Sequence, residues 1–287
     1  MSVIAGLFCG FLTVRLLRVL TDDAFRHPSL LRENHRGLQV PLAAGVLIVL
    51  TVLLVEAGRV VTGAVLEQGS VPSISIPRAL VFAAVLGFGL LGLWDDVVGD
   101  AHDRGFRGHL RALAGGRLTT GGIKLVGGGA LALVLVAPVA EDALRWLVAD
   151  ALLIALAANL MNLLDRSPGR ALKAGLIAYV PLALVCGTTS VGAAIAPVVG
   201  AGAGLFPDDL RERIMLGDCG ANVVGAVLGL GAVLQLGSGP KLVVLGVLVA
   251  LNIASELVSF SSMIERVNVL RAFDRAGRKV TWDDNQA

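Results

Sequence analysis

Three short stretches place carboxylates at the ends of apolar runs. GLLGLWDDVVGD (residues 89–100) finishes one run on the adjacent Asp95 and Asp96, NLMNLLD (159–165) finishes a second on Asp165, and MLGDCGAN (215–222) opens a third with Asp218. An aspartate at a helix C-terminus opposes the helix dipole, so Asp95, Asp96 and Asp165 are each unfavourable there unless a cation faces them. Clustered oxygen donors suit Mg2+, with Mn2+ as a substitute; such ions keep several waters and meet a protein through one or two carboxylates while substrate phosphates supply the rest. The chemistry indicated is metal-assisted work on a phosphate or diphosphate. For any one of these acids the simpler reading is a residue set where water begins. The case for a shared ion depends on all three stretches reaching the same membrane face.

Groups able to hold phosphate fall nearby. Lys124 follows the glycine-rich TTGGI (119–123), and Gly217 to Asn222 offer small residues and main-chain N–H groups at a helix start, a natural anion site. A lysine that only sets membrane topology would look the same as Lys124. Arg107 and His109, in GFRGHLRAL, are candidates for phosphate or anionic lipid, with a solvated loop as the plainer alternative. Asn159, Asn162 and Asp165, spaced by three, lie along one helical stripe and are further candidates for contact with substrate.

These residues need membrane helices to position them. The 287-residue chain is 55% hydrophobic and 16% charged, with a mean hydropathy of +0.80, which excludes an ordinary soluble domain. Nothing in it indicates a nucleic-acid partner, and Cys9, Cys186 and Cys219 stand singly with no zinc or disulfide spacing. Nine segments are long enough to cross a bilayer, near 2–20, 39–56, 77–95, 121–139, 144–163, 172–188, 190–206, 219–236 and 240–259. The expected fold is an all-α, polytopic bundle in a single integral domain.

Of the 24 Lys and Arg residues, only Arg59, Arg78, Arg145 and Lys241 fall in one set of alternate connections. The rest share the other set, which the positive-inside tendency assigns to the cytosol. The N-terminus is then outside, the C-terminus inside, and all three acidic stretches reach the cytoplasmic face of the cell membrane. Residues 260–279 alternate apolar and basic groups at helical spacing, as an amphipathic helix lying on the inner surface would.

Taken together, WDD (94–96), NLMNLLD (159–165) and FPDDLRERIMLGDCGAN (206–222) resemble the polyprenyl-phosphate N-acetylhexosamine-1-phosphate transferase superfamily, over about residues 32–278. The resemblance implies Mg2+-dependent transfer of a sugar 1-phosphate from a UDP-sugar to a polyprenyl (undecaprenyl) phosphate, releasing UMP and starting a cell-envelope glycan. It also implies roles: Asp95 facing the reacting phosphate, Asp96 organising the site, Asp218 as principal metal ligand with Asp95 and Asp96 beside it, Asn162 and Asp165 on the nucleotide wall, and Phe206 near the uracil. A homodimer is compatible with this reading. The chain departs from the family's N-x-x-N-x-x-D-G-x-D-G pattern, with Arg166 and Pro168 in place of a glycine and the second aspartate, and has no histidine after His109. Both departures touch substrate contacts and spare the carboxylates, which points to an altered substrate. The alternative is a catalytically silent relative that binds lipid-linked phosphate or a partner as a membrane scaffold. A solute transporter fits poorly, because the charges gather at one mouth instead of the bilayer midplane.

Overall fold

A computed structural model describes residues 1–34, 36–66, 72–99, 115–116, 119–140 and 143–278. Among them the chain forms helices α1 (Val3–Leu20), α2 (Asp22–Phe25), α3 (Val46–Leu66), α4 (Ile76–Val98), α5 (Thr120–Val136), α6 (Leu144–Leu164), α7 (Arg170–Cys186), α8 (Ser190–Leu210), α9 (Gly217–Gln235), α10 (Ser238–Leu257), α11 (Phe260–Arg266) and α12 (Asn268–Arg275). A small antiparallel hairpin, β1 (Leu31–Glu33) and β2 (Gln39–Pro41), precedes α3. Seven of these helices, α1, α3, α4, α6, α8, α9 and α10, are long and apolar enough to cross a membrane. The protein is an all-α, multi-pass membrane helix bundle. Helices α5 and α7, at 17 residues each, also coincide with apolar segments read from the sequence.

The bounds of α3 differ most from the sequence reading. Residues 39–41 pair as β2, and α3 starts at Val46, because the chain from Pro41 to Gly45 runs beside the segment leading into α9: Met215 N–H donates to the Pro41 carbonyl, Ala44 N–H to Met215 and Gly45 N–H to Leu216. At its other end α3 continues to Leu66 instead of yielding to a loop after Glu56. Glu56 pairs with Arg59 one turn on, at 2.7 Å, and with Arg78 of α4, so these charges are neutralised within the bundle and do not end the helix. The amphipathic tail also divides, into α11 and α12, with Val267 extended between them.

Small residues set how closely the helices approach, as expected where lipid supplies no hydrophobic drive between them. Gly6 and Gly10 of α1 face Ala196 and Pro197 of α8, and Gly200 of α8 faces the Leu7 backbone; a Cβ on Gly10 would overlap the Pro197 carbonyl. Gly225 and Gly229 of α9 likewise admit Ala157, Ala158 and Ile154 of α6. Helix α9 becomes the central stave, with 83% of its spanning window buried, whereas 6% of α10's window is. Peripheral α10 is fastened by polar contacts to α6: Lys241 to Asp150 at 2.8 Å, and Asn159 to Asn252 at 2.7 Å.

Candidate functional site

At one end of the bundle the N-terminus of α9 meets the C-terminal ends of α4, α6 and α8. A helix start leaves its first N–H groups without partners in the helix, and here the chain supplies carboxylates to them. Both oxygens of Asp96 are engaged, Oδ1 by the Asp218 N–H at 2.9 Å and Oδ2 by the Cys219 N–H at 3.0 Å. Asp165 accepts from the Gly217 N–H, and Asp209 from Leu216 and, at 3.1 Å, from Gly169. The unfavourable position of Asp96, Asp165 and Asp209 at their own C-terminal ends is offset by the positive end of α9. Gly217, with φ of +74°, lets the chain turn into this arrangement; any Cβ there would lie 2.7 Å from Asp96.

Removal from water pushes the Asp165 carboxyl well above the ordinary carboxylate value, and the charges of Asp209, Asp218 and Asp96 push it the same way, against the Gly217 hydrogen bond.

Asp95 and Asp218 are arranged differently. Their side chains lie within hydrogen-bonding reach of each other, and the Lys124 ammonium bridges them, 3.2 Å from Asp95 and in direct contact with Asp218. Thr120, in the first turn of α5, also hydrogen-bonds Asp95. Thr119 caps that helix, its hydroxyl accepting the Gly122 N–H at 3.0 Å, which places Lys124 one turn in. The structure thus brings together Asp95, Asp96, Asp165, Lys124, Gly217 and Asp218 from three helices and the turn after α6.

Other sequence candidates fall elsewhere. Asn159 faces α10 through Asn252, because steps of three residues drift by about 60° each along a helix and carry it away from Asp165. Asn162 has a buried Nδ2 with no hydrogen-bond partner among the described residues, and so does Asn222, which is 3% exposed and one turn beyond Asp218. The Phe206 ring packs beside Gly169, on the turn that follows Asp165. Arg107 and His109 lie outside the described residues. Asp209 was missed by the sequence reading, although FPDDL repeats the signal of carboxylates in the last turn of an apolar helix. Its neighbour Asp208 pairs with Arg15 at 2.5 Å and Arg213 at 3.3 Å.

Among the described residues, no three His, Cys, Asp or Glu side chains group as a metal-holding set. A magnesium site needs fewer: one or two carboxylates suffice when phosphates and water complete the shell. Asp95 and Asp218 meet that requirement, since they already share one cation, the Lys124 ammonium. Asp96 has both oxygens committed to main-chain donors and serves as a support behind them.

An apolar cavity of about 350 Å³ lies deeper in the bundle, between α6, α7, α9 and α10, with Leu153, Met161, Pro181, Gly229, Leu236 and Leu248 in its wall. Met161, one turn before Asp165, is the α6 lining residue nearest the acidic end, while Leu236 and Val244 lie toward the opposite end, where α9 finishes and α10 starts. No family model and no curated protein matches the chain.

Proposed function

We propose that the protein is a membrane-embedded phosphoglycosyl transferase that moves a sugar 1-phosphate from a UDP-sugar to a polyprenyl phosphate at the cytoplasmic face of the cell membrane. The observation that carries this reading is the convergence of Asp95, Asp218 and Lys124 at one bundle end; deeper in the bundle an apolar cavity is sized for part of a lipid chain. In this reading nine helices cross the membrane, with the N-terminus outside and the acidic end in the cytosol.

Asp95 and Asp218 would hold Mg2+, with Mn2+ as a substitute; the ion, when bound, neutralises charge on the nonbridging phosphate oxygens. The chain's own groups do the positioning on which phosphoryl transfer depends. Lys124 pairs with phosphate oxygens. Asp95 faces the acceptor phosphate and takes its proton when it arrives as the monoanion. Asp96 and Asp165 keep the start of α9, and so Asp218, in place. An oxygen of the lipid phosphate attacks the phosphorus bearing the sugar, the bond to the bridging oxygen of the diphosphate breaks, and UMP leaves with that oxygen. The cavity between α6, α7, α9 and α10 receives isoprene units while the nucleotide enters from the water.

The test is purified protein with Mg2+, undecaprenyl phosphate and a panel of radiolabelled UDP-sugars. A lipid-soluble product and UMP should form and should be lost in Asp95→Asn and Asp218→Asn. A second reading, a silent scaffold that binds lipid-linked phosphate, is favoured by one observation: the acidic cluster is internally satisfied, with its carboxylates matched to α9 amides and to Lys124. Binding of undecaprenyl phosphate without turnover of any nucleotide sugar would establish the scaffold.

A further inference from the structure

Lys124 lies where two carboxylates converge, and its position has a consequence for the order in which ligands bind. Asp95 and Asp218 stand on separate helices within hydrogen-bonding reach of each other. Two anions that close repel unless a cation lies between them, and the side chain that supplies it comes from a third helix, α5. The lysine is 18% exposed and has an acceptor on either side. Its stem is flexible and its head is a compact charge with three donors that can be redirected from carboxylate to phosphate.

The charges make the step directional. Two carboxylates and one ammonium leave a single negative charge, to which the Asp96 carboxylate behind Asp218 adds, so the site attracts a divalent cation and repels a nucleotide diphosphate. A divalent ion cancels that excess, and the repulsion of an anion falls away. The ion and the ammonium also compete for the same oxygens of Asp95 and Asp218, so the ammonium must leave them, and the phosphates are the anions then within its reach. Asn222, one turn deeper on the stripe of Asp218, keeps a buried Nδ2 without a partner among the described residues, a second donor on that face.

Building on the transferase reading above, we propose that Lys124 is the resident counter-ion of the Asp95–Asp218 pair, displaced by the divalent cation and transferred to the phosphates of the incoming nucleotide sugar. The lysine holds the site together before the metal arrives, competes with it, and sets an order in which metal binds before nucleotide.

The experiment is a Mn2+ titration followed by electron paramagnetic resonance on the detergent-purified full chain, as wild type, Lys124→Met, Lys124→Arg and Asp218→Asn, with UDP affinity then measured on the Mn2+-loaded proteins. Lys124→Met should bind Mn2+ at least tenfold more tightly than wild type and UDP at least tenfold more weakly. Lys124→Arg keeps the charge and grips carboxylates with a fork, so it should bind Mn2+ no more tightly than wild type. If wild type binds Mn2+ and Asp218→Asn loses it, yet Lys124→Met shows no tightening, the counter-ion role is overturned and the metal site stands. If neither wild type nor Lys124→Met binds Mn2+, both fall. Tightening in Lys124→Met without transfer of any sugar would support the exchange and remove the transferase. Should Lys124→Met fail to fold, Lys124→Gln replaces it and is held to the same tenfold criterion.

Discussion

Asp96 caps the helix that carries Asp218: its Oδ1 accepts the Asp218 main-chain N–H at 2.9 Å, while the Asp218 side chain turns away to Lys124. One aspartate of the adjacent pair at 95 and 96 therefore supports structure, and the other faces the candidate chemistry. Asp96→Ala would leave two buried N–H donors without acceptors, at roughly 1–3 kcal/mol each, and thermal unfolding in detergent should show a clear loss of stability. Asp95→Asn should change stability by less than about 1 kcal/mol, because Lys124 keeps Asp218, while abolishing the proposed transfer. Equal destabilisation by the two substitutions would contradict this division of labour.

Gly217 is the position at which backbone conformation controls the site. Its φ of +74° is disfavoured for residues with a side chain, at about 1–2 kcal/mol, and a Cβ would press on the Asp96 carboxylate. Gly217→Ala should therefore reproduce much of the Asp96→Ala loss and lower metal affinity as well. Gly58→Ala, in α3 with open space around it, gains helix propensity and should be neutral or slightly stabilising. A Gly217→Ala protein as stable as wild type would show that α9 starts in some other way.

The helices and the acidic ends could be read from the sequence because both depend on local signals: apolar length, and carboxylates where an apolar run stops. The partners of those carboxylates could not. Asp96, Asp165 and Asp209 bind main-chain N–H groups of residues 216–219, and every residue has such a group, so no side-chain pattern marks the pairing. The site was legible as a set of charges but not as its division into caps and a Lys124-bridged pair. The second apolar segment reads as ending near residue 56, but pairing of Glu56 with Arg59 and with Arg78 of another helix lets α3 continue to Leu66. At Asn159 the spacing matched a stripe, but the helical drift over six residues turned the side chain to α10.

Asp274 fastens the C-terminal tail beneath the bundle. Burial alone would raise its carboxyl, but the Arg170 hydrogen bonds and the charges of Arg278, Arg170 and Lys173 outweigh it and hold the group below the usual 3.8. Arg170 donates at 2.8 and 2.9 Å and Arg278 at 2.6 Å, while Lys173 caps the Phe273, Asp274 and Ala276 carbonyls. A depressed carboxyl contributes stability that is present above the unfolded value and lost as pH falls through the folded one. Docking should therefore be constant at neutral pH and fail only below about pH 4. Hydrogen exchange across residues 260–278 should report this, and Asp274→Asn should release the tail at pH 7. Protection that declines between pH 8 and 6 would require another group to control the contact.

Lys241 and Asp150 form the buried fastening at the N-terminal ends of α10 and α6, 7% and 2% exposed, with the ammonium 5.8 Å from the Trp146 ring. With Asn159 and Asn252 further along the same helices, they hold α10 to α6 along the wall of the apolar cavity, to which Leu153 and Val244, three residues on from each partner, both contribute. Removing one member leaves the other charged in an apolar setting, at about 3–5 kcal/mol, whereas replacing both by apolar residues is often neutral. Asp150→Leu and Lys241→Met should each destabilise strongly, and the double variant should return close to wild type, a coupling readable in a double-mutant cycle by thermal unfolding. Because α10 buries so little of its own surface, each single variant should also loosen the cavity wall and, on the proposed function, weaken retention of a long isoprenoid more than that of a short one. Additive losses in the cycle, or equal effects on long and short chains, would mean that apolar packing holds α10 in place and the ion pair does not.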